Sequence, residues 1–314
     1  MGSLKLLLEK LRRILIAERP TQKSSSFGSP GSCAHLTNRE ERQLFRIDLD
    51  YAIHPVPRWG YGRPRHAGIS QILEGGRASY GGRLNDILAN ADYLRAIPLE
   101  EDPARPYEPF WRNGFLPGLD VAALYSFIRQ SNGARYVEIG CGNSTRVVRR
   151  AIRDHQLRTS VISIDPEPRA EIDAICDHLI RKPLEYADLS VFDKLGAGDI
   201  VFFDGSHRVF MNSDVTVFFL DVLPRLRPGV LVQIHDIFWP DDYPEAWTSR
   251  CYSEQYMLAC YLLAQPHFLE VILPNNFAFT DPALSELVAE LWRRVALPGI
   301  EPQGGSFWLR VRSH

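Results

Sequence analysis

The stretch Arg135-Tyr136-Val137-Glu138-Ile139-Gly140-Cys141-Gly142-Asn143-Ser144-Thr145 runs from an apolar strand through a glycine turn into a helix start. A second apolar strand, Val161-Ile162-Ser163-Ile164, follows and ends on Asp165. In such an arrangement the first glycine permits the tight turn and the second lets a ligand approach the backbone closely. Exposed amides at a helix start attract an anion, here a carboxylate. Asp165, at the tip of the next strand, is placed to bind a ribose diol. The third glycine of a dinucleotide fingerprint would fall at Thr145 and is missing, which argues against NAD.

Glu138, two positions before the first glycine, suits a ligand with a cationic ammonium. S-adenosylmethionine (SAM) carries the ammonium, the carboxylate and the ribose together. The bland alternative for this segment alone is a turn with no ligand, so the rest of the chain has to decide.

Around this centre, the rhythm from Asp120 onward alternates helix and strand. Asp120 is a good N-cap for a helix over Val121 to Gln130. Strand Tyr136 to Ile139, helix Ser144 to His155 and strand Val161 to Ile164 follow, then a helix over Arg169 to Asp177 and a weak strand near Leu179 to Arg181. Asp199-Ile200-Val201-Phe202-Phe203-Asp204 reads as a buried strand ending in an acid, with a helix from Ser213 to Leu226 after it. Gly229 to Asp236 is another apolar strand with a polar end. Near-continuous apolar strands separated by helices indicate a parallel sheet covered on both faces. Phe268 to Leu273 and Ser306 to Val311 read as the last strands, with a helix over Ala283 to Val295 between them and the final strand antiparallel.

Four of these segments, in order, resemble the motifs of class I SAM-dependent methyltransferases: Glu138 to Thr145, Ser163-Ile164-Asp165, Asp199 to Asp204 and Gly229 to Asp236. More narrowly, Asp204-Gly205-Ser206-His207 with Ile234-His235-Asp236-Ile237-Phe238 is similar to a bacterial subgroup of small-molecule methyltransferases, several of them resembling sugar or natural-product O-methyltransferases. The resemblance implies an α/β fold with a doubly wound, mostly parallel seven-stranded sheet, an antiparallel last strand and an N-terminal helical and loop cap. It implies that Glu138, Gly140, Cys141 and Gly142 line the methionine part of SAM, with Asn143, Ser144 and Thr145 opening the helix beneath it. Asp165 would hold the ribose, and Leu184 to Asp188, with Asp188 the residue singled out, would meet the adenine.

Ligands of open parallel sheets bind beyond the carboxyl ends of the strands. Asp204 and the His235-Asp236 pair therefore end close to the expected methyl donor. Two acids and an imidazole have the ligand types for a divalent cation, Mg²⁺ or a softer first-row ion, at Asp204, His235 and Asp236. The metal-free alternative uses His207 or His235 as general base beside Asp204, a neutral imidazole with a pKa near ~6.5 being suited to proton removal. Against these stand the structural readings: either histidine bracing a strand end, Asp214 capping the helix at Val215, and Trp239, Tyr243 and Trp247 simply packing. Asp241 and Asp242, in a proline-rich loop, would face solvent. Arg58, Arg63, Arg65 and His66 would meet an anionic substrate or form a solvated cluster.

Composition narrows the field. The chain has 314 residues, 45% of them hydrophobic, and 36 basic against 38 acidic side chains, so no basic excess points to nucleic acid. Five cysteines without paired spacing read as reduced thiols in a cytoplasmic protein. No apolar run is long enough for a spanning helix. Leu4, Leu7, Leu8, Leu11 and Leu15 recur at helical spacing beside Lys5, Lys10, Arg12 and Arg13. Such a helix packs on the body, joins copies into a homo-oligomer, or touches an anionic membrane surface peripherally.

The expected organisation is an amphipathic helix and linker over 1–32, the linker being Gln22 to Ser32, a cap over 33–119 with helical stretches near Arg39 to Leu44 and Arg83 to Arg95, and a SAM-binding domain over 120–314. The expected function is methyl transfer from SAM to a hydroxyl of a small molecule. Two alternatives remain: a metal-dependent hydroxylase of the same fold, and a SAM-binding protein without catalysis.

Overall fold

The computed structural model describes residue 51 and residues 53–312. The expected first helix, the linker over 22–32 and the helix near Arg39 to Leu44 lie outside the described residues.

Seven strands form one sheet: β1 (Arg135–Ile139), β2 (Ser160–Ile164), β3 (His178–Ile180), β4 (Ile200–Phe203), β5 (Leu231–Ile234), β6 (Leu269–Pro274) and β7 (Phe307–Val311). Their order is β3-β2-β1-β4-β5-β7-β6. The first five are parallel, and β7 inserts antiparallel between β5 and β6. The antiparallel last strand is thus present. Every residue of β4 is buried, as are Tyr136 to Ile139 of β1, so the centre of the sheet is covered on both faces.

The covering helices are α1 (Ala67–Glu74), α2 (Arg77–Leu88), α3 (Ala91–Arg95), α4 (Gly118–Arg129), α5 (Asn143–Asp154), α6 (Ser190–Asp193), α7 (Asp214–Val217), α8 (Glu254–Ala264), α9 (Asn275–Thr280) and α10 (Ser285–Val295). α4 packs along α5, and α2 packs on α10, β6 and α4. Ile69, Leu73, Tyr80, Leu84, Ile87, Leu94, Ile97 and Trp111 share one buried core with the sheet. Residues 67–111 therefore contribute to the body of the fold.

Three expectations about elements need correction. Arg169 to Asp177 is not a helix; a single 3₁₀ turn, Asp173–Ile175, occupies it. Pro166 and Pro168 disfavour helical backbone just before it, and Asp177 leaves the turn to accept the Val161 amide at 2.7 Å. Helix Arg83 to Arg95 is two helices, broken where Asn90 ties the Asp86 carbonyl to Arg129. α7 continues as a π-helical stretch, Phe218–Val222, and a 3₁₀ turn, Leu223–Arg225, because Pro224 has no amide hydrogen to extend the α ladder.

The chain reverses its winding direction between β1 and β4, which opens a crevice at their carboxyl ends. Gly140 closes β1 with φ +79°, and an added Cβ there would lie 1.9 Å from the Asp204 carbonyl oxygen. Only glycine lets the two strand ends meet. Gly142, at φ +151°, turns the backbone into α5 through a region side chains rarely enter.

Candidate active site

Two cavities meet at that crevice. The smaller, about 440 Å³, is lined by Gly140, Cys141, Asp165, Leu184, Glu185 and Asp214, among others. The larger, about 870 Å³, has Asp204, His207, His235 and Asp236 in its wall, with Trp111, Phe115, Phe238 and Trp247. Asp204 and Arg169 line both.

Of the residues expected to hold SAM, Gly140, Cys141 and Asp165 line the smaller cleft. Asp165 accepts the Cys141 amide at 2.9 Å and the Glu167 amide at 2.8 Å, so it is fixed at the lip of the glycine turn. Asn143 and Ser144 line a recess of about 30 Å³ next to Gly140, Cys141 and Gly142. Cys141 is buried, and burial pushes its thiol well up, so it stays neutral.

Three expected contacts, Glu138, Thr145 and Asp188, line none of these cavities. Glu138 lies beneath the turn with no exposure, and it accepts hydroxyls from Tyr136 (3.1 Å), Ser144 (3.0 Å), Ser163 (3.1 Å) and Thr145. Thr145 also accepts the Gly142 amide at 3.1 Å. Burial raises the Glu138 carboxyl against the pull of these four donors. Its lone pairs are taken up bracing the loop from below, and it faces neither cavity. Asp188 is exposed and accepts the Ser190 amide (3.0 Å) and hydroxyl (2.8 Å) just ahead of α6. Leu184 and Glu185 are the residues of that segment at the cleft.

The larger cavity ends on a compact ionic cluster. His207 Nε2 stands 3.3 Å from Asp204 and 3.6 Å from Asp236, and His235 Nδ1 stands 3.5 Å and 3.3 Å from the same two carboxylates. Each imidazole is held from behind by a further buried acid. Glu254, the first residue of α8, takes His207 Nδ1, while Asp120 meets His235 Nε2 at 3.1 Å. His207 and Asp236 both hold left-handed backbone, φ +63° and +56°. Non-glycine residues adopt it at a cost that functional sites tend to tolerate.

The electrostatics follow from burial and proximity. Burial opposes charge on both imidazoles, but the carboxylates around them win and hold both well above the ordinary histidine range. Burial likewise opposes ionisation of Asp204, yet the two imidazoles hold its carboxyl well below the usual range. Burial raises Asp236, and it pushes Glu254 up to about 7 despite His207. The carboxylates around both rings therefore favour the cationic form over the neutral imidazole expected of a general base.

Asp120 and Glu254 were not expected here. Asp120 does not cap α4, which starts two residues earlier, at Gly118. It accepts the Gly305 and Ser306 amides (2.8 Å each) and Asn275 Nδ2 (2.7 Å) in addition to His235. An acid at a helix start reads as a cap in any sequence; only the fold brings these two to histidines 115 and 47 residues away.

Most other candidates resolve into packing or local hydrogen bonding. Asp214 accepts the Ser206 amide at 2.7 Å, and Ser213 caps α7. Trp239 is buried and donates to the Gln255 carbonyl at 2.6 Å, and Tyr243 is buried beside Tyr256. Trp247 faces the larger cavity. Asp242 is buried, not solvated as expected, because Arg58 N, Tyr243 N, Gln255 and Tyr256 all donate to it. Arg65 is bound by Asp241 at 3.0 Å, and His66 caps α1 between Trp59 and Trp239. None of Arg58, Arg63, Arg65 and His66 lines either cavity.

Among the described residues, no group of three or more His, Cys, Asp and Glu side chains is arranged to hold a metal ion as it stands. No helix among them is long and apolar enough to cross a membrane.

Residues 137–237 match the Methyltransf_24 family, described as a methyltransferase domain. That span begins in β1, ends just past β5 and contains the glycine turn, Asp165 and the Asp204–Asp236 cluster. With the sheet order and the crevice at β1 and β4, the match marks this span as a methyltransferase domain on a sheet of the class I methyltransferase fold. No curated protein matches the chain. One solved structure found to be similar is MycE methyltransferase from the mycinamycin biosynthetic pathway, in complex with Mg, SAH and mycinamycin VI. The identity is 18% and the TM-score 0.31, over 59% of this chain and 46% of that one. The chain thus spans less than half of that structure.

Proposed function

We propose that the protein transfers the methyl group of SAM to a hydroxyl of a small molecule. The observation that carries this reading is the junction of the two cavities at Asp204, which gives a nucleoside-sized cleft and an acceptor-sized chamber one shared wall. Glu138, Gly140, Cys141, Gly142, Asn143, Ser144 and Thr145 would form and brace the methionine end of the cleft, and Asp165 would take the ribose. Leu184 and Glu185 would take the adenine side in place of Asp188.

In the reaction the acceptor oxygen attacks the sulfonium methyl in line, an O–C bond forms and the C–S bond breaks. The hydroxyl proton passes to the acid–imidazole cluster, and neutral S-adenosylhomocysteine leaves. Asp204, pinned by two imidazolium rings, is a poor proton acceptor and instead orients them. Asp236, raised by burial, is the better acceptor, and the N–H groups of His207 and His235 would stabilise charge building on the acceptor oxygen. Holding both partners in attack geometry in a partly closed chamber supplies much of the remaining rate.

A divalent cation at Asp204, His235 and Asp236, with His207 as a fourth ligand, is the second reading. The four imidazole–carboxylate separations of 3.3–3.6 Å are close to the ~3.4 Å edge of a tetrahedron of ~2.1 Å bonds, so the side chains would need to turn toward a common centre to bind the ion. Two imidazoles favour a first-row ion over Mg²⁺, and either ring would have to lose its proton to ligate. Equilibrium dialysis against Zn²⁺, Mn²⁺ and Mg²⁺, read by elemental analysis, tests it; no ion retained by wild type in excess of His235→Ala removes the reading.

The primary test is calorimetric titration with S-adenosylhomocysteine, with NAD as control, then release of S-adenosylhomocysteine from SAM over a panel of hydroxylated acceptors. The expected result is binding of the former ligand alone, lost in Asp165→Ala, and turnover with at least one acceptor. Failure to bind S-adenosylhomocysteine would sink the proposal; binding without turnover would favour a non-catalytic SAM-binding protein.

A further inference from the structure

The charged groups in the wall of the larger cavity are unevenly committed. Asp204 and Asp236 are held by imidazoles. Arg112 is bound by Glu100 at 2.6 Å and by the carbonyls of Pro298 and Gly299. Glu301 accepts from Gln303 at 3.4 Å. Arg169 and Arg250 differ from all of these. Among the described residues neither guanidinium is bonded to a carboxylate or a carbonyl; each lies over aromatic rings instead. Arg250 sits 3.8 Å from the Trp247 centroid and 5.6 Å from that of Tyr252, and Arg169 sits 4.9 Å from that of Phe115.

A guanidinium stacked by its face keeps its N–H edge free, and the ring beneath it fixes the plane in which that edge points. A planar fork of donors presented this way matches the two oxygens of a carboxylate or phosphate. Arg250 lines the acceptor chamber alone, whereas Arg169 stands where chamber and cleft join. Tyr252, which carries Arg250, also lies tilted against His207, with ring centroids 4.4 Å apart. One aromatic ring thus links the free cation to the ionic cluster, so a ligand bound by Arg250 has the cluster within its own length.

We propose that the acceptor is a small hydroxylated molecule bearing an oxyanion, a carboxylate or a phosphate, and that Arg250 receives that oxyanion while Arg169 guards the junction with the donor. The proposal rests on the methyltransferase reading and narrows its substrate class. Arg58, Arg63 and Arg65, the cations the sequence offers for this task, do not reach either cavity.

The test uses the full chain saturated with S-adenosylhomocysteine and titrated with two matched pairs: 3,4-dihydroxybenzoate against 3,4-dihydroxybenzamide, and glucose 6-phosphate against glucose. The expected result is that at least one anionic member binds roughly tenfold or more tightly than its neutral partner. The preference should vanish in Arg250→Ala with S-adenosylhomocysteine affinity unchanged, and be partly kept in Arg250→Lys, which retains charge without the fork. A preference for the carboxylate pair alone or the phosphate pair alone identifies the oxyanion. Equal binding within both pairs, no binding of either anion, or a preference that survives Arg250→Ala overturns the proposal. Absence of S-adenosylhomocysteine binding would strike the methyltransferase reading instead, and is seen before any acceptor is added.

Discussion

A methyl group on residue 140 would collide with the carbonyl of Asp204 and would also have to hold φ at +79°. Gly140→Ala is therefore expected to separate the ends of β1 and β4 and to cost on the order of 2–4 kcal/mol. S-adenosylhomocysteine binding should be lost with it, as urea midpoints and calorimetry would show; an unchanged midpoint would mean the two strand ends do not touch. Asp120 makes a different kind of prediction, because it faces His235 from behind and lines neither cavity. Asp120→Asn keeps the size and one acceptor oxygen but removes the charge that holds the ring. Methyl transfer should fall roughly 10²-fold or more while S-adenosylhomocysteine affinity stays near wild type. Equal losses in both would make Asp120 a merely structural residue.

At the scale of elements, the loop before α4 is tied to α5 by two acids, Glu101 on Arg146 and Glu108 on its neighbours. Glu108 meets Arg150 at 3.0 Å and also bonds Arg153. The Arg153 hydrogen bond is the largest influence, and burial opposes it without prevailing, so the Glu108 carboxyl lies below its ordinary value of 4.5. A depressed carboxyl stabilises the fold above its unfolded pKa, and the gain is lost as pH falls through the folded one. Glu108→Gln should therefore lower the urea midpoint at pH 7, by a fraction of a kcal/mol to about 1 kcal/mol for a partly exposed pair. The difference should close as pH drops below 4.5; a deficit that persists at pH 3 would assign the loss to packing. The same scale shows what a sequence reader can see. Ile200 to Phe203 and Val161 to Ile164 are legible because a strand buried on both faces must be apolar throughout. The glycine turn is legible because close backbone approach admits one residue type. Residues 169–177 are misread because local propensity says nothing of how the sheet edge uses Asp177. Glu254 and Asp120 are invisible because an acid opening a helix has an ordinary local explanation, and their histidines arrive from distant strands.

For the whole molecule the question is what can be cut away. A boundary at residue 119 separates an irregular, proline-rich stretch from a regular alternation of strand and helix, which is why the sequence suggests a cap on a domain. Yet Ile69, Leu73, Tyr80, Leu84, Ile87, Leu94, Ile97 and Trp111 are each at most 4% exposed and belong to the same core as the sheet. α2 alone packs on α10, β6 and α4, covering the antiparallel end of the sheet. Burying a large apolar side chain contributes roughly 1.5–3 kcal/mol, so the loss of eight is at least comparable with the ~5–15 kcal/mol net stability of a typical domain. A chain beginning at Asp120 is accordingly expected not to fold. It should lack a cooperative thermal transition, bind a hydrophobic dye and show no calorimetric response to S-adenosylhomocysteine, although it keeps every residue of the glycine turn and the ionic cluster. A cooperative transition and retained binding in that fragment would show that residues 67–111 are a removable cap after all.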